Sequence, residues 1–179
     1  GVHLEHKGRL IFIMPGVPYE MKGMMEDYVL PYLRERSGGV VIRSRVLRIT
    51  GEGESAVEER IRDLLEQTLP TIAPYAKLGE VHLRVTAKGA PAEVDAALAR
   101  GEAQIRERLG DLVYGTDDQT LEAVVGGLLA TRRLTVAVAE SCTGGLIAER
   151  LTNVPGSSAY FLESVVEYSN AAKQPHLNV

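Results

Sequence analysis

The run Ala139–Gly145 (AESCTGG) sets a hydroxyl, a thiol and two glycines in one short turn. The apolar, β-rich segment Leu134–Ala139 (LTVAVA) leads into it, and Leu146–Leu151 has helical character after it. A serine there stands at the carboxyl end of a strand, where open α/β sheets place their ligands. The N–H groups that follow are the unpaired donors of a helix start, suited to an anion or an oxyanion. Paired glycines let the backbone come close to a ligand. Ser141 is therefore a candidate nucleophile, with an oxyanion hole expected from the N–H groups at the helix start. Spacing alone favours a plainer role: Ser and Thr are favoured helix caps. Cys142 is a rival nucleophile, or a small buried hydrophobe.

A serine hydroxyl needs a base. The four histidines are scattered, and none is placed beside Ser141 by sequence logic. Lys173, in Tyr168–Lys173 (YSNAAK), is the candidate in the same stretch of chain. A lysine acts as a base when burial lowers its pKa, and Ser–Lys pairs are a known variant of the triad. The alternative is an ordinary solvated lysine.

Three sections of chain surround these residues. In the first, to about residue 40, Arg9–Met14 reads as a strand ending at Pro15-Gly16. Pro18 suits the first turn of the helix that follows, and Pro31 kinks or restarts that helix. In the second, the spacing predicts strands at 40–50, 71–76 and 80–87, helices at 55–65 and 91–109, and a short closing strand at 112–114. The order β-α-β-β-α-β makes an α+β sandwich. In the third, Gly115-Thr116-Asp117 reads as a linker and Asp118 as a helix cap. Leu121, Val124, Val125, Leu128 and Leu129 form an apolar helical stripe. Strands at 134–139 and 164–168 flank the helix after Ser141, which is the opening of an α/β domain.

Composition narrows the function classes. An apolar fraction of 45% allows packed cores, and with two Phe and no Trp these are mainly aliphatic. A net charge of −4 argues against nonspecific binding to nucleic acid or acidic membranes. The single cysteine cannot form an internal disulfide, so the reducing cytoplasm is the expected compartment. No apolar run approaches the roughly 18 residues needed for a membrane span.

The stretch from Ala139 to Lys173 resembles the start of the nicotinamide-nucleotide amidohydrolase domain of the competence/damage-inducible CinA family. It carries the ESCTGG turn, the VPGSS turn and the YSN-x-AK element in the family's order. IMPGVPYEMKGM, at 13–24, is similar to the late part of the family's molybdopterin-binding-like domain. APYAKLGEVHLRVTAKG, at 73–89, is similar to its KH-like domain. The implied fold is α/β and α+β multidomain: the end of the molybdopterin-binding-like domain over 1–40, a KH-like domain over 41–115, and the start of the deamidase domain over 116–179.

The resemblance implies hydrolysis of nicotinamide mononucleotide to nicotinate mononucleotide and ammonia, with no cofactor. It implies Ser141 as nucleophile, Lys173 as its base and Tyr168 as a further active-site residue. Thr143, Gly144, Gly145, Ser157, Ser158 and Asn170 are the implied substrate contacts. A second implied activity is a divalent-metal-dependent ADP-ribose pyrophosphatase in the first domain. Its phosphate turn would include Pro15, Gly16, Pro18 and Glu20, with no metal ligand in this chain. A spacer or dimer-forming role for the middle domain is a third reading, and the family suggests a homodimer. RNA binding is not expected there: the only GxG-like segment, Gly51-Glu52-Gly53-Glu54, is acidic and would repel phosphate.

Two positions depart from the family pattern. Ser164 stands where a glycine is usual, and Glu167 where a small residue is usual. The resemblance also implies that the deamidase domain runs on for about a hundred residues past Val179. A chain of this length is then expected to be inactive alone.

Overall fold

The computed structural model describes residues 1–177, so Asn178 and Val179 lie outside the described residues. The described residues form a mixed α/β structure with three sheets.

The chain opens on an antiparallel hairpin, β1 (Val2–His6) and β2 (Arg9–Ile13). The sequence reading found only the second strand. The hairpin turns on Lys7 and Gly8, both at positive φ (50° and 72°), the primed geometry that matches strand twist. A helical stretch follows: α1 (Pro18–Met24), a π-helical turn (Met25–Val29) and α2 (Leu30–Arg36). Pro18 sits in the first turn of α1, where a missing N–H breaks no bond, and Pro31 follows directly on the π-helical turn. His3, Phe12, Tyr28 and Tyr32 pack as an aromatic cluster between hairpin and helices, with the Arg36 guanidinium 4.7 Å from the Tyr32 ring centre.

The middle section runs β3 (Val41–Ile49), α3 (Glu54–Arg60), α4 (Arg62–Leu65), β4 (Thr71–Lys77), β5 (Glu80–Gly89), α5 (Pro91–Leu109) and β6 (Val113–Thr116). Its antiparallel sheet has the order β4-β5-β3-β6. The expected order of elements is present. The single helix expected at 55–65 is broken at Ile61, whose φ of −118° is not helical, and Gly53 rather than Ser55 precedes it.

The main core lies here. Val81, Leu83, Val85 and Ala87 alternate onto the face that α5 covers, and Leu47, Ile49, Val57, Ile61 and Ile105 complete it. Helix α5 approaches closely because Gly101 has no side chain: a Cβ there would lie 2.7 Å from Pro70 Cγ and 2.9 Å from Val85 Cγ1.

The expected linker is not a free hinge. Gly115 and Thr116 belong to β6, and Asp117 is clamped to β3. Its N–H donates to Val46 O at 2.7 Å, its carboxylate accepts from Val46 N at 2.9 Å, and Arg48 Nε donates to its carbonyl at 2.6 Å.

The last section holds α6 (Leu121–Arg132), β7 (Val136–Glu140), α7 (Leu146–Thr152), β8 (Phe161–Val166) and α8 (Asn170–Leu177). Strands β7 and β8 are parallel, joined across α7 as a βαβ unit. Thr120, not Asp118, caps α6 by accepting from Ala123 N. The stripe on α6 is only partly covered: Val125 and Leu128 are exposed. The one buried residue of α6 is Gly126, which lies against Tyr160. Tyr160 is itself buried, and its hydroxyl donates to Leu151 O at 3.1 Å.

A Cβ on Gly126 would lie 2.5 Å from the Tyr160 hydroxyl oxygen and 2.8 Å from Cζ of the ring. Gly126→Ala is therefore expected to destabilise this section. Overpacking costs about 1–3 kcal/mol, against roughly 1 kcal/mol returned by alanine's helix preference. Thermal melts of the two proteins check it, with a lower midpoint for the variant.

Candidate active site

The parallel register pairs Glu140 with Val166. The residues just beyond both strands therefore leave the same carboxyl edge: Ser141 from β7, and Glu167 and Tyr168 from β8. Glu167 N donates to Glu140 O at 2.9 Å and ties the two exits together. Strand β8 ends at Val166, two residues before the expected end at Tyr168, which leaves Tyr168 beyond the sheet and largely exposed. Ser169 then caps α8, accepting from Ala172 N through Oγ at 3.2 Å. Lys173 follows in the second turn of α8, partly buried, with its N–H donating to Ser169 O at 3.3 Å. Asn170 and Lys173 line an open surface depression. Among the described residues, neither the Ser141 hydroxyl nor the Lys173 ammonium makes a hydrogen bond, to one another or elsewhere.

The turn after Ser141 is built around Glu140, which sequence reasoning passed over. This side chain is buried, at 3% exposure. Its carboxylate accepts from Gly145 N at 3.1 Å, Ile147 N at 3.0 Å and Ala148 N at 2.9 Å. Gly144 and Gly145 make the reversal possible with φ of 61° and 99°, a region that side chains avoid. Gly145 also packs on β8, since a Cβ would lie 3.5 Å from Val166 Cγ2. Glu140 thus occupies donors at the start of α7 itself, Gly144 N donates to Ser141 O at 3.1 Å, and Thr143 N has no partner among the described residues. The N-cap of α7 is Gly145 and its first N–H groups are held by the Glu140 carboxylate, so Ser141 is not the helix cap. The signal available in the sequence was an acidic residue ending an apolar strand directly before a glycine-rich turn.

Burial alone would raise the Glu140 pKa. The bonds from Ala148 N, the Thr143 hydroxyl, Ile147 N and Gly145 N outweigh it and hold the carboxyl below its usual range. A carboxylate with a depressed folded pKa contributes stability that is complete above the unfolded value of about 4.3 and is lost as pH falls through the folded value. The melting midpoint is expected to drop on acidification below about pH 4.3, and to drop less steeply in Glu140→Gln. Melts across a pH series test this.

Other expected contacts lie elsewhere. Ser157 and Ser158 form a short turn before β8, at the amino edge of the sheet, opposite Ser141. Ser157 Oγ donates to Thr152 O at 3.3 Å. The structure does not bring these serines to Ser141, because a parallel crossover delivers the loop entering β8 to the far edge. Pro15 and Gly16 lie between β2 and α1, Pro18 and Glu20 lie in the first turn of α1, and Gly16, Pro18 and Glu20 are exposed. The divalent metal of the second implied activity finds no ligand set: among the described residues no three His, Cys, Asp or Glu side chains come together to hold an ion. Cys142 is an exposed free thiol, not a buried hydrophobe. At the two departures, Ser164 Oγ is buried without a hydrogen-bond partner among the described residues, and Glu167 is buried at 8% exposure. Among the described residues no helix is long and apolar enough to cross a membrane.

A model of the damage-inducible protein CinA KH domain matches residues 44–115, and one of the CinA C-terminal domain matches residues 118–179. The chain belongs to the CinA family. A curated relative from Moorella thermoacetica is 54% identical over 181 residues, and a CinA-like protein of Dictyoglomus thermophilum is 50% identical over the same length. Both alignments cover 100% of this chain and 44% of the relative. This CinA chain thus spans less than half the length of the curated relatives it matches. A solved structure, competence/damage inducible protein CihA from Agrobacterium tumefaciens, is 44% identical over 33% of this chain and 36% of its own, with a TM-score of 0.32.

Proposed function

We propose that the full-length protein is a nicotinamide mononucleotide deamidase in which Ser141 attacks the substrate carboxamide and Lys173 is its base. What supports the reading is one juxtaposition. The Ser141 turn and the segment carrying Tyr168, Asn170 and Lys173 leave the same edge of a parallel strand pair, tied by Glu167 N to Glu140 O. That edge is where such sheets bind ligands.

The chemistry runs in two halves. Lys173, as the base, takes the Ser141 proton as Oγ bonds to the carboxamide carbon. The tetrahedral oxyanion collapses, and the amide nitrogen leaves as ammonia with the proton returned by Lys173. Water, activated by the same lysine, then cleaves the ester to give nicotinate mononucleotide and restores Ser141. Tyr168 and Asn170 lie on the segment that faces the nucleotide in this reading. The expected result is ammonia release from nicotinamide mononucleotide by the full-length protein. Failure of the purified, folded full-length protein to release ammonia would overturn the substrate assignment.

A further inference from the structure

Glu140 is the most buried carboxylate of the last section among the described residues, and it lies next to the candidate nucleophile. Its three acceptor contacts bind the turn's far end, at Gly145, Ile147 and Ala148. Two backbone bonds close the near end: Gly144 N donates to Ser141 O at 3.1 Å, and Leu146 N to Thr143 O at 3.1 Å. Among the described residues, the N–H groups of Ser141, Cys142 and Thr143 are left without a partner. The turn is therefore divided. One part of its donors is used to hold it, and the other part stays open directly beside the nucleophile. In serine hydrolases built on a strand-to-helix turn, the N–H of the residue after the nucleophile is an oxyanion donor.

We propose that Glu140 is the positioning residue of this site: by holding the N–H groups of Gly145, Ile147 and Ala148, it fixes the turn so that Cys142 and Thr143 present theirs to the oxyanion formed at Ser141. This rests on the reading of Ser141 as nucleophile. It also assigns the substrate phosphate a place away from the start of α7, because the buried carboxylate there would repel it. Glu140 touches no reacting atom. Its effect is geometric, and misplacing a catalytic group by about 1 Å costs about 100-fold in rate.

The test compares Glu140→Gln with the unmodified full-length protein in steady-state deamidation, alongside thermal melts. Glu149→Gln, an exposed acidic residue on the same helix, is the control. The amide of glutamine keeps one acceptor oxygen but turns an NH2 toward donors. The expected result is a kcat lower by about 100-fold with KM within about threefold, in a protein that still melts cooperatively. Glu149→Gln should match the unmodified protein. A folded Glu140→Gln with kcat within about threefold of the unmodified value, or a loss carried by KM alone, overturns the proposal.

Amide hydrogen exchange on the unmodified protein decides the matter if the variant does not fold. Slow exchange at Gly145, Ile147 and Ala148 with fast exchange at Cys142 and Thr143 supports it, and any other pattern overturns it. Ser141→Ala run in parallel separates the two levels. Retained activity there removes the nucleophile reading and this proposal with it, whereas lost activity with an unaffected Glu140→Gln removes the proposal alone.

Discussion

Ser141→Ala in the full-length protein is expected to lower kcat for nicotinamide mononucleotide deamidation by about 10⁴-fold or more, while leaving folding intact. Removing a nucleophile eliminates the covalent route entirely and leaves only binding and oxyanion stabilisation, a residue of activity that is small by comparison. The stability effect should be minor. The Ser141 hydroxyl makes no hydrogen bond among the described residues, and the first N–H groups of α7 are held by Glu140. A large rate effect with little change in melting would separate a chemical role from a structural one. Ser141→Cys sharpens the comparison, because an exposed thiol already stands next to it at Cys142. If Cys142 were the nucleophile, Ser141→Ala would retain most of its rate and Cys142→Ala would lose it.

Lys173→Arg is the second large effect. Arginine keeps the charge and much of the length but does not give up its proton in proteins. A lysine acting as base should therefore be irreplaceable by arginine, with a loss of about 10³-fold in kcat. A lysine that only attracts the substrate phosphate should tolerate the change, with KM and not kcat responding. The position suits either reading geometrically: Lys173 is in the second turn of α8, partly buried, on the edge of the sheet where Ser141 emerges. Lys173→Met gives the companion measurement, since it removes charge and base together. Equal kcat losses in the two variants mark proton transfer as the lost function.

The middle section was the most legible part of the fold, for a physical reason. Its core is made by two clean periodicities, the alternation of Val81, Leu83, Val85 and Ala87 and the helical spacing of Val94, Ala97, Leu98 and Ile105. Pro91 opens α5 and Gly110 closes it at a φ of 53°, so both ends carried local signals. The first hairpin strand was missed because Lys7-Gly8 is a less common primed turn than Asn-Gly. The break at Ile61 and the capping by Thr120 in place of Asp118 depend on tertiary packing and on side-chain direction, which spacing does not encode.

The site divides the same way. Ser141, its glycines and Lys173 were visible as residue types in a turn and a nearby helix. That they share one edge depends on the parallel register Glu140↔Val166, a pairing across 26 positions of sequence. The same register sends Ser157 and Ser158 to the opposite edge, which a linear motif cannot reveal. Glu140 was hidden because its role lies in where its carboxylate points, back into the turn, and alternation along a strand leaves that choice open.

The central claim, that Ser141 forms a covalent intermediate, is tested most directly by trapping it. Full-length protein is quenched in acid during turnover of nicotinamide mononucleotide, digested, and the peptide containing residues 141 and 142 is weighed and fragmented by mass spectrometry. A nicotinate mononucleotide ester is expected on the Ser141 oxygen, absent from Ser141→Ala. An adduct on Cys142, or undiminished turnover by Ser141→Ala with no adduct at this position, would contradict it.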